Sequence, residues 1–286
     1  MWKDLARSLR VNHWYKNLLA FLGIIFERKV FDPTYFSHAL LAFILLCLVS
    51  SANYIINDLV DKKKDFANQI KAQSLFARID GKVSIAVAGL LVVTSIAIAS
   101  WLLPAILIFL VFMLCLGQVY NFFAKNIPVL DIIVLLFMYV VRIYSGYISL
   151  DVVPYSLIVL PIMMLEFFLV FIKKRSTLLI LGEEKATAFR KSYQFYTIKR
   201  DGAMIVISGI GMAFLYVVYF IINEKFNKVI LLLTIPAVFI LIFVVMKITR
   251  REPELGIFLF KILRRKVILI CSLYIVVLYF TDIIFL

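Results

Sequence analysis

Nine long apolar runs decide what this chain can fold into. They lie near residues 17–31, 36–56, 83–103, 105–123, 129–148, 155–172, 203–222, 229–248 and 267–286. A hydrocarbon layer of about 30 Å is crossed by a helix of about 20 apolar residues. With 64% hydrophobic residues and a mean hydropathy of +1.02, the chain exceeds the apolar share of an ordinary soluble domain. It reads as an all-α, polytopic membrane protein: a nine-helix transmembrane bundle. The first run is the weakest, because Glu27, Arg28 and Lys29 interrupt it. Only Pro104 separates the third and fourth, so their turn must be tight. Gly and Pro are sparse and no low-complexity linker divides the sequence, so residues 1–286 are expected to form one domain.

Basic residues set the orientation, since Lys and Arg gather in cytoplasmic loops. With the N-terminus inside, the cytoplasmic pieces are 1–16, 57–82, 124–128, 173–202 and 247–266. All Lys and Arg fall there except Arg28, Lys29, Arg142, Lys225 and Lys228. The expectation is N-in/C-out, with the net charge of +14 almost wholly on one face. Topology and anionic lipid contact explain part of that charge. No small-residue cleavage site follows the first run, so no cleavable signal peptide is expected.

The same face carries acids. Asn57, Asp58, Asp61 and Asp65 form an Asn-Asp-x-x-Asp-x-x-x-Asp cluster directly after the second run. At 3.6 residues per turn, Asn57, Asp61 and Asp65 stack on one helix face. Acids packed this closely repel one another unless a cation joins them. Hard oxygen ligands at this density suit Mg²⁺, with Mn²⁺ as a substitute, bridging carboxylates to substrate phosphates. The plainer reading is a solvated loop, since Lys62, Lys63 and Lys64 lie among the acids. Acids at a membrane boundary are costly and usually mark function.

Other chemistries are poorly served. Cys47, Cys115 and Cys271 all fall within apolar runs and read as packing residues. His13 and His38 are too few and too separated for a histidine metal site. No Gly-rich phosphate loop and no nucleophile elbow appears. The expected partners are membrane lipids and phosphorylated substrates, not nucleic acid.

Several charged groups stand out beside the acids. Trp2, Leu5 and Leu9 recur at helical spacing, which suggests an interfacial helix over 2–12. In the stretch Arg10-Val-Asn-His-Trp-Tyr-Lys16-Asn17, Trp14 and Tyr15 suit an interface belt, and Lys16 with Asn17 stands where a bilayer-facing site begins. Lys125, in a very short turn, is either a topogenic lysine or a phosphate ligand, with Tyr120 a turn deeper. Asp131, Arg142 and Glu166 lie in or near apolar runs, where a charge needs a partner or a wet cavity. Lys173, Lys174 and Arg175 form a dense donor cluster suited to phosphoryl oxygens.

Together these residues resemble the UbiA superfamily of intramembrane transferases. The shared features are nine spans, an inside N-terminus and the acidic motif after the second span. The resemblance implies a helical bundle around a membrane-embedded cavity, capped by helical cytoplasmic loops. Prenyltransferases of this superfamily carry a second Asp-rich motif after the sixth span, where this chain has Lys173, Lys174, Arg175, Glu183 and Glu184. The set Trp14 to Asn17, Tyr120 to Lys125, Asp131 to Arg142 with Gly146, and Lys174-Arg175 looks more like the decaprenyl-phosphate phosphoribosyltransferase branch. Its members move 5-phosphoribose from phosphoribosyl diphosphate (PRPP) to a polyprenyl phosphate. The loop after the first motif usually contains Arg-Pro in that branch, whereas residues 71–82 here read Lys-Ala-Gln-Ser-Leu-Phe-Ala-Arg-Ile-Asp-Gly-Lys. The roles of Lys71 and Arg78 therefore stay open.

The resemblance implies metal binding by Asn57, Asp58, Asp61 and Asp65, with the three acids catalytic. It implies substrate binding by Lys16, Asn17, Asn57, Tyr120, Lys125, Arg142, Lys173, Lys174 and Arg175. Charge supports this branch, because a sugar diphosphate and a lipid phosphate bring two polyanions together, and like charges repel strongly at low dielectric. The competing enzyme reading is a prenyltransferase joining a prenyl diphosphate to an aromatic or other small acceptor. A transporter or lipid-binding scaffold leaves the acidic cluster unexplained. The expected location is a bacterial inner membrane, with the active site facing the cytoplasm.

Overall fold

The computed structural model describes residues 9–65, 80–152, 156–223, 225 and 227–285, except the side chains of 62–65, 156 and 231. Every regular element among them is helical. The α-helices are α1 (Leu22–Phe26), α2 (Pro33–Asp65), α3 (Gly81–Leu102), α4 (Leu107–Phe122), α5 (Leu130–Ile148) and α6 (Ser156–Leu181). They continue with α7 (Glu183–Phe189), α8 (Ile198–Ile222), α9 (Lys228–Arg251), α10 (Pro253–Ile257), α11 (Leu259–Ile262) and α12 (Lys266–Phe285). Seven stretches of described chain, in α2, α3, α4, α5, α8, α9 and α12, are long and apolar enough to cross a membrane. Large apolar side chains such as Leu90, Trp101, Ile210, Phe214, Phe243 and Ile270 are exposed on these helices. A water-soluble surface rarely tolerates so much apolar exposure, whereas lipid requires it. The chain is an integral, multi-pass membrane protein.

Two of the nine expected runs look different. The run at 155–172 forms most of α6, a 26-residue helix that also carries Glu166, Lys173, Lys174 and Arg175. The run at 17–31 is not one long helix. Val11–Phe21 is a 3₁₀ helix, and the five-residue α1 follows it. A 3₁₀ helix has three residues per turn, so residues at i and i+3 eclipse. Trp14, Asn17 and Ala20 recur at that spacing. The Trp14 indole donates to Ser51 Oγ at 3.0 Å, Asn17 lies against Cys47 and Ser50, and Ala20 is fully buried. A 3.6-residue period would smear this line around the helix. Arg28, left-handed at φ 59°, stands just beyond the end of α1.

The chain forms two compact units, residues 1–154 and 155–286. In the first, α2 is the central element and packs on α3, α4 and the 3₁₀ helix. Leu45, Leu46 and Val49 of α2 meet Leu110 and Met113 of α4 and Met138 and Val141 of α5 in its core. Small residues let backbones approach where lipid supplies no hydrophobic drive. A Cβ on Gly146 would fall 2.1 Å from the Ala20 carbonyl oxygen. A Cβ on Gly117 would fall 2.2 Å from Asn53 Cγ. The space at Gly117 admits the Asn53 amide, which donates to the Met113 carbonyl at 2.9 Å and accepts from Gln118 Nε2 at 2.6 Å. Asn121 Nδ2 returns a bond to the Asn53 carbonyl at 3.2 Å. This clip ties α2 to α4.

The second unit is built on α6, which packs along α8 and α10, while α9 packs on α12. Gly256 of α10 leaves no room for a Cβ beside Ser176 Oγ, 2.0 Å away. The Tyr216 hydroxyl bonds Thr234 at 2.6 Å and Tyr279 at 2.9 Å, which joins α8, α9 and α12 in otherwise apolar surroundings. Lys228 Nζ reaches the carbonyls of Phe220, Ile221 and Asn223 at the end of α8. Cations at a helix C-terminus satisfy orphan carbonyls and match the macrodipole.

Candidate functional site

The acidic motif sits at the end of α2. This helix has 33 residues, about 50 Å at 1.5 Å per residue. It outruns a hydrocarbon layer of about 30 Å, so its last turns carry acids without placing them mid-bilayer. Asp58 and Asp61 are nonetheless buried, at 4% and 2% exposure. Each is held by a base from far along the chain. Arg10 donates to Asp58 Oδ1, and Lys125 Nζ donates to Asp61 Oδ1 at 2.6 Å. Arg10 adopts the left-handed conformation at φ 47° immediately before the 3₁₀ helix, a backbone state costing about 1–2 kcal/mol for an L-residue. Its guanidinium also lies 5.3 Å from the Tyr54 ring.

Asn57 completes the described part of the motif. Its Oδ1 is buried with no hydrogen-bond donor among the described residues. A buried acceptor left unmade costs about 1–3 kcal/mol, and a cation would satisfy it. An orphan amide oxygen beside two carboxylates is a hard-oxygen donor set that fits Mg²⁺ or Mn²⁺. Among the described residues, no three His, Cys, Asp or Glu side chains form a metal-sized group. The Asp65 side chain, Lys71, Arg78 and most of the expected helix over 2–12 lie outside the described residues.

A second polar cluster lies inside the first unit. Arg142 is 3% exposed on the apolar helix α5. Its Nε donates to Asn17 Oδ1 at 2.8 Å, and its Nη1 is buried with no hydrogen-bond partner among the described residues. Asn17 Oδ1 also accepts from Ser50, and Asn17 Nδ2 donates to Cys47 Sγ at 3.3 Å. Lys16 Nζ and the Arg142 guanidinium both approach the Tyr139 ring, at 5.5 and 5.2 Å. Lys16, Asn17 and Arg142 are thus brought together. Tyr120, half-buried on α4, belongs to the turn of helix that leads to Lys125.

In the second unit the three consecutive bases separate, as residues 100° apart on a helix must. Lys173 is exposed. Lys174 is buried, its Nζ 3.7 Å from the Tyr196 ring centroid and 5.1 Å from that of Tyr193. These tyrosines come from the short 3₁₀ helix Lys191–Phe195 and the residue after it. Arg175 turns towards Gly202 of α8, where a Cβ would meet its Nε at 3.5 Å. Sequence reasoning did not single out Arg10 as the base on Asp58, Asn53 as a clip, or the Tyr193–Tyr196 cage. The one signal was Asn53 itself, a strongly polar amide close behind Ser50 and Ser51 in an apolar run.

The family model described as "UbiA prenyltransferase family" matches residues 18–263. A protein of Mycolicibacterium smegmatis named decaprenyl-phosphate phosphoribosyltransferase is 27% identical over 231 residues, 78% of this chain and 72% of that protein. A protein of the same name from Mycobacterium tuberculosis is 29% identical over 198 residues, 67% of this chain and 65% of that protein. A solved UbiA homologue from Archaeoglobus fulgidus, bound to DMAPP and Mg²⁺, superposes with a TM-score of 0.69 over 98% of this chain and 99% of that chain, at 18% identity. The helical architecture, the acidic end of α2 and the family match over both units agree: this chain belongs to the UbiA prenyltransferase family.

Proposed function

We propose that the protein transfers 5-phosphoribose from PRPP to a polyprenyl phosphate and releases pyrophosphate. An acceptor phosphate oxygen attacks the anomeric carbon as its bond to pyrophosphate breaks, and pyrophosphate leaves with the electron pair. The acceptor is already an anionic nucleophile, so no strong general base is needed. The observation that carries the reading is Lys174. Where prenyltransferases of the superfamily have their second acidic motif, this chain holds a buried cation caged by Tyr193 and Tyr196. A site for two polyanions needs such a charge, and a site for a prenyl diphosphate and a neutral acceptor does not. The two mycobacterial relatives carry the name of this reaction.

In this reading Asn57, Asp58, Asp61 and Asp65 hold Mg²⁺ or Mn²⁺. When bound, the ion offsets diphosphate charge and assists its departure as a Lewis acid. Arg10 and Lys125 hold Asp58 and Asp61 in place through their ion pairs. Lys16, Asn17, Tyr120 and Arg142 orient substrate. Lys173, Lys174 and Arg175 meet phosphate oxygens. Positioning and electrostatics carry most of the rate.

The same reading includes nine spans, an inside N-terminus, a bacterial inner membrane and a site open to the cytoplasm, where soluble PRPP is available. The deciding experiment incubates purified protein with PRPP, a polyprenyl phosphate and Mg²⁺ and seeks a phosphoribosylated lipid by mass spectrometry. A parallel reaction offers prenyl diphosphate and an aromatic acceptor. Product only in the second reaction overturns the proposal. Orientation is tested with Glu184→Cys in a cysteine-free background. An impermeant thiol reagent should label it only after cells are opened, and labelling in intact cells reverses the topology.

A further inference from the structure

A cavity of about 550 Å³ in the second unit is lined by Arg175 of α6, Lys199 of α8 and Arg250 of α9, with Glu183 of α7 at its wall. Three cations and one lining carboxylate leave the cavity positive. Thr197 and Ile198 also line it, so the N-terminal turn of the 25-residue α8 opens on the same space. That end carries partial positive charge and unbonded N–H groups. Thr197 caps the turn by accepting from the Arg200 N–H at 3.2 Å, and the backbone of α8 approaches closely at Gly202.

The bases crowd one another. Burial first, and then the Arg250 guanidinium, lower the Arg175 pKa from its ordinary value, while Asp201 pulls the other way. Asp201 is fully buried and does not line the cavity. Two guanidinium groups and an ammonium from three helices repel when nothing lies between them. Guanidinium forks match phosphate oxygens bidentately, and helix N-termini take the same ligand.

We infer that this cavity, lined by Arg175, Lys199 and Arg250, is a binding site for a phosphate monoester, carried either by a lipid headgroup or by a soluble phosphate. Arg175 is shared with the phosphate contacts proposed above, so the inference rests on that reading at this one residue, whereas Lys199 and Arg250 belong to the cavity alone. Glu183 accepts from a hydroxyl next to the phosphate or from one of the lining bases, and its charge selects against larger polyanions.

The test measures binding, not turnover. Purified full-length protein in neutral detergent is titrated with phosphatidic acid, phosphatidylcholine or inorganic phosphate at constant ionic strength. Bound lipid is followed by native mass spectrometry and bound phosphate by calorimetry. Phosphatidic acid should bind at least tenfold more tightly than phosphatidylcholine, and Arg250→Gln and Lys199→Gln should each lower that affinity tenfold or more. Lys185→Gln, the same charge change on exposed α7, should leave it unchanged. Binding of phosphatidic acid alone assigns a lipid source, and equal binding of inorganic phosphate assigns a soluble one. Binding of neither, or an equal loss in Lys185→Gln, overturns the site. If Arg250→Gln does not fold, Lys199→Gln and the charge-retaining Arg250→Lys decide the question.

Discussion

Lys125 Nζ lies 2.6 Å from Asp61 Oδ1, with both side chains only 3% exposed. An ion pair so buried sits at the junction of α2 with the turn after α4. Removing one member of such a pair leaves an uncompensated buried charge, which costs about 3–5 kcal/mol, whereas removing both is often close to neutral. Asp61→Asn and Lys125→Met should therefore each destabilise the protein by that amount in EDTA, and the double variant should recover most of the loss. Thermal unfolding in detergent measures it. A double variant as unstable as the sum of the singles would show that the two charges do not depend on each other. Turnover should stay lost in all three.

The double variant also isolates the metal. Wild-type protein at a Mg²⁺ concentration a hundredfold above its dissociation constant should gain about 2.7 kcal/mol. The Asp61→Asn/Lys125→Met protein should gain little, and Asn57→Ala should need more Mg²⁺ for the same rise in melting temperature. An undiminished response in both variants would place the ion elsewhere.

Three glycine-to-alanine changes should rank by what the new methyl meets. At Gly146 it meets the Ala20 backbone at 2.1 Å, at Gly117 the Asn53 side chain at 2.2 Å, and at Gly89 nothing within 4 Å. Gly89→Ala should be neutral or raise stability by up to about 1 kcal/mol through helix propensity. Gly117→Ala should cost about 1–3 kcal/mol as the Asn53 clip is displaced. Gly146→Ala should cost the most, because backbone cannot rotate away. Melting temperatures in one detergent give the order, and a benign Gly146→Ala would contradict the packing described.

Lys174→Gln should lower turnover tenfold or more, the loss of a charge-assisted contact worth about 1.5–3 kcal/mol. Lys185→Gln is the comparison, since Lys185 is exposed. Lys199 is unsuitable as a neutral control because it lines the cavity with Arg175. Equal, small effects for Lys174 and Lys185 would mean that the basic cluster serves topology alone, and the phosphoribosyl reading would lose its main support.

Apolar run length was enough to place α2, α3, α4, α5, α8, α9 and α12, because lipid leaves a long apolar segment little choice but a helix. The spacing of Asn57, Asp58 and Asp61 likewise fixed their place at a helix end. The 3₁₀ form of Val11–Phe21 was not legible there, because its three-residue line matters only once Ser51, Cys47 and Ser50 of α2 stand opposite. Nor were the bases on the acids. Arg10 is 48 residues from Asp58 and Lys125 is 64 residues from Asp61, and no local pattern encodes contacts at such separations. Lys173, Lys174 and Arg175 look like one cluster when written in a line, but helix rotation sends them in three directions.

The clip at Asn53 has a consequence for how the chain is made. Its amide donates to a carbonyl 60 residues later. At about 5–20 residues per second, the ribosome takes about 3–12 s to supply that stretch. For that interval α2 carries an unsatisfied amide, which is expensive in hydrocarbon. A helix in that condition should be held at the insertion machinery or in the wet headgroup zone until α4 emerges. The expected consequence is that α2 and α4 are released to the lipid as a pair, with one side chain setting that order.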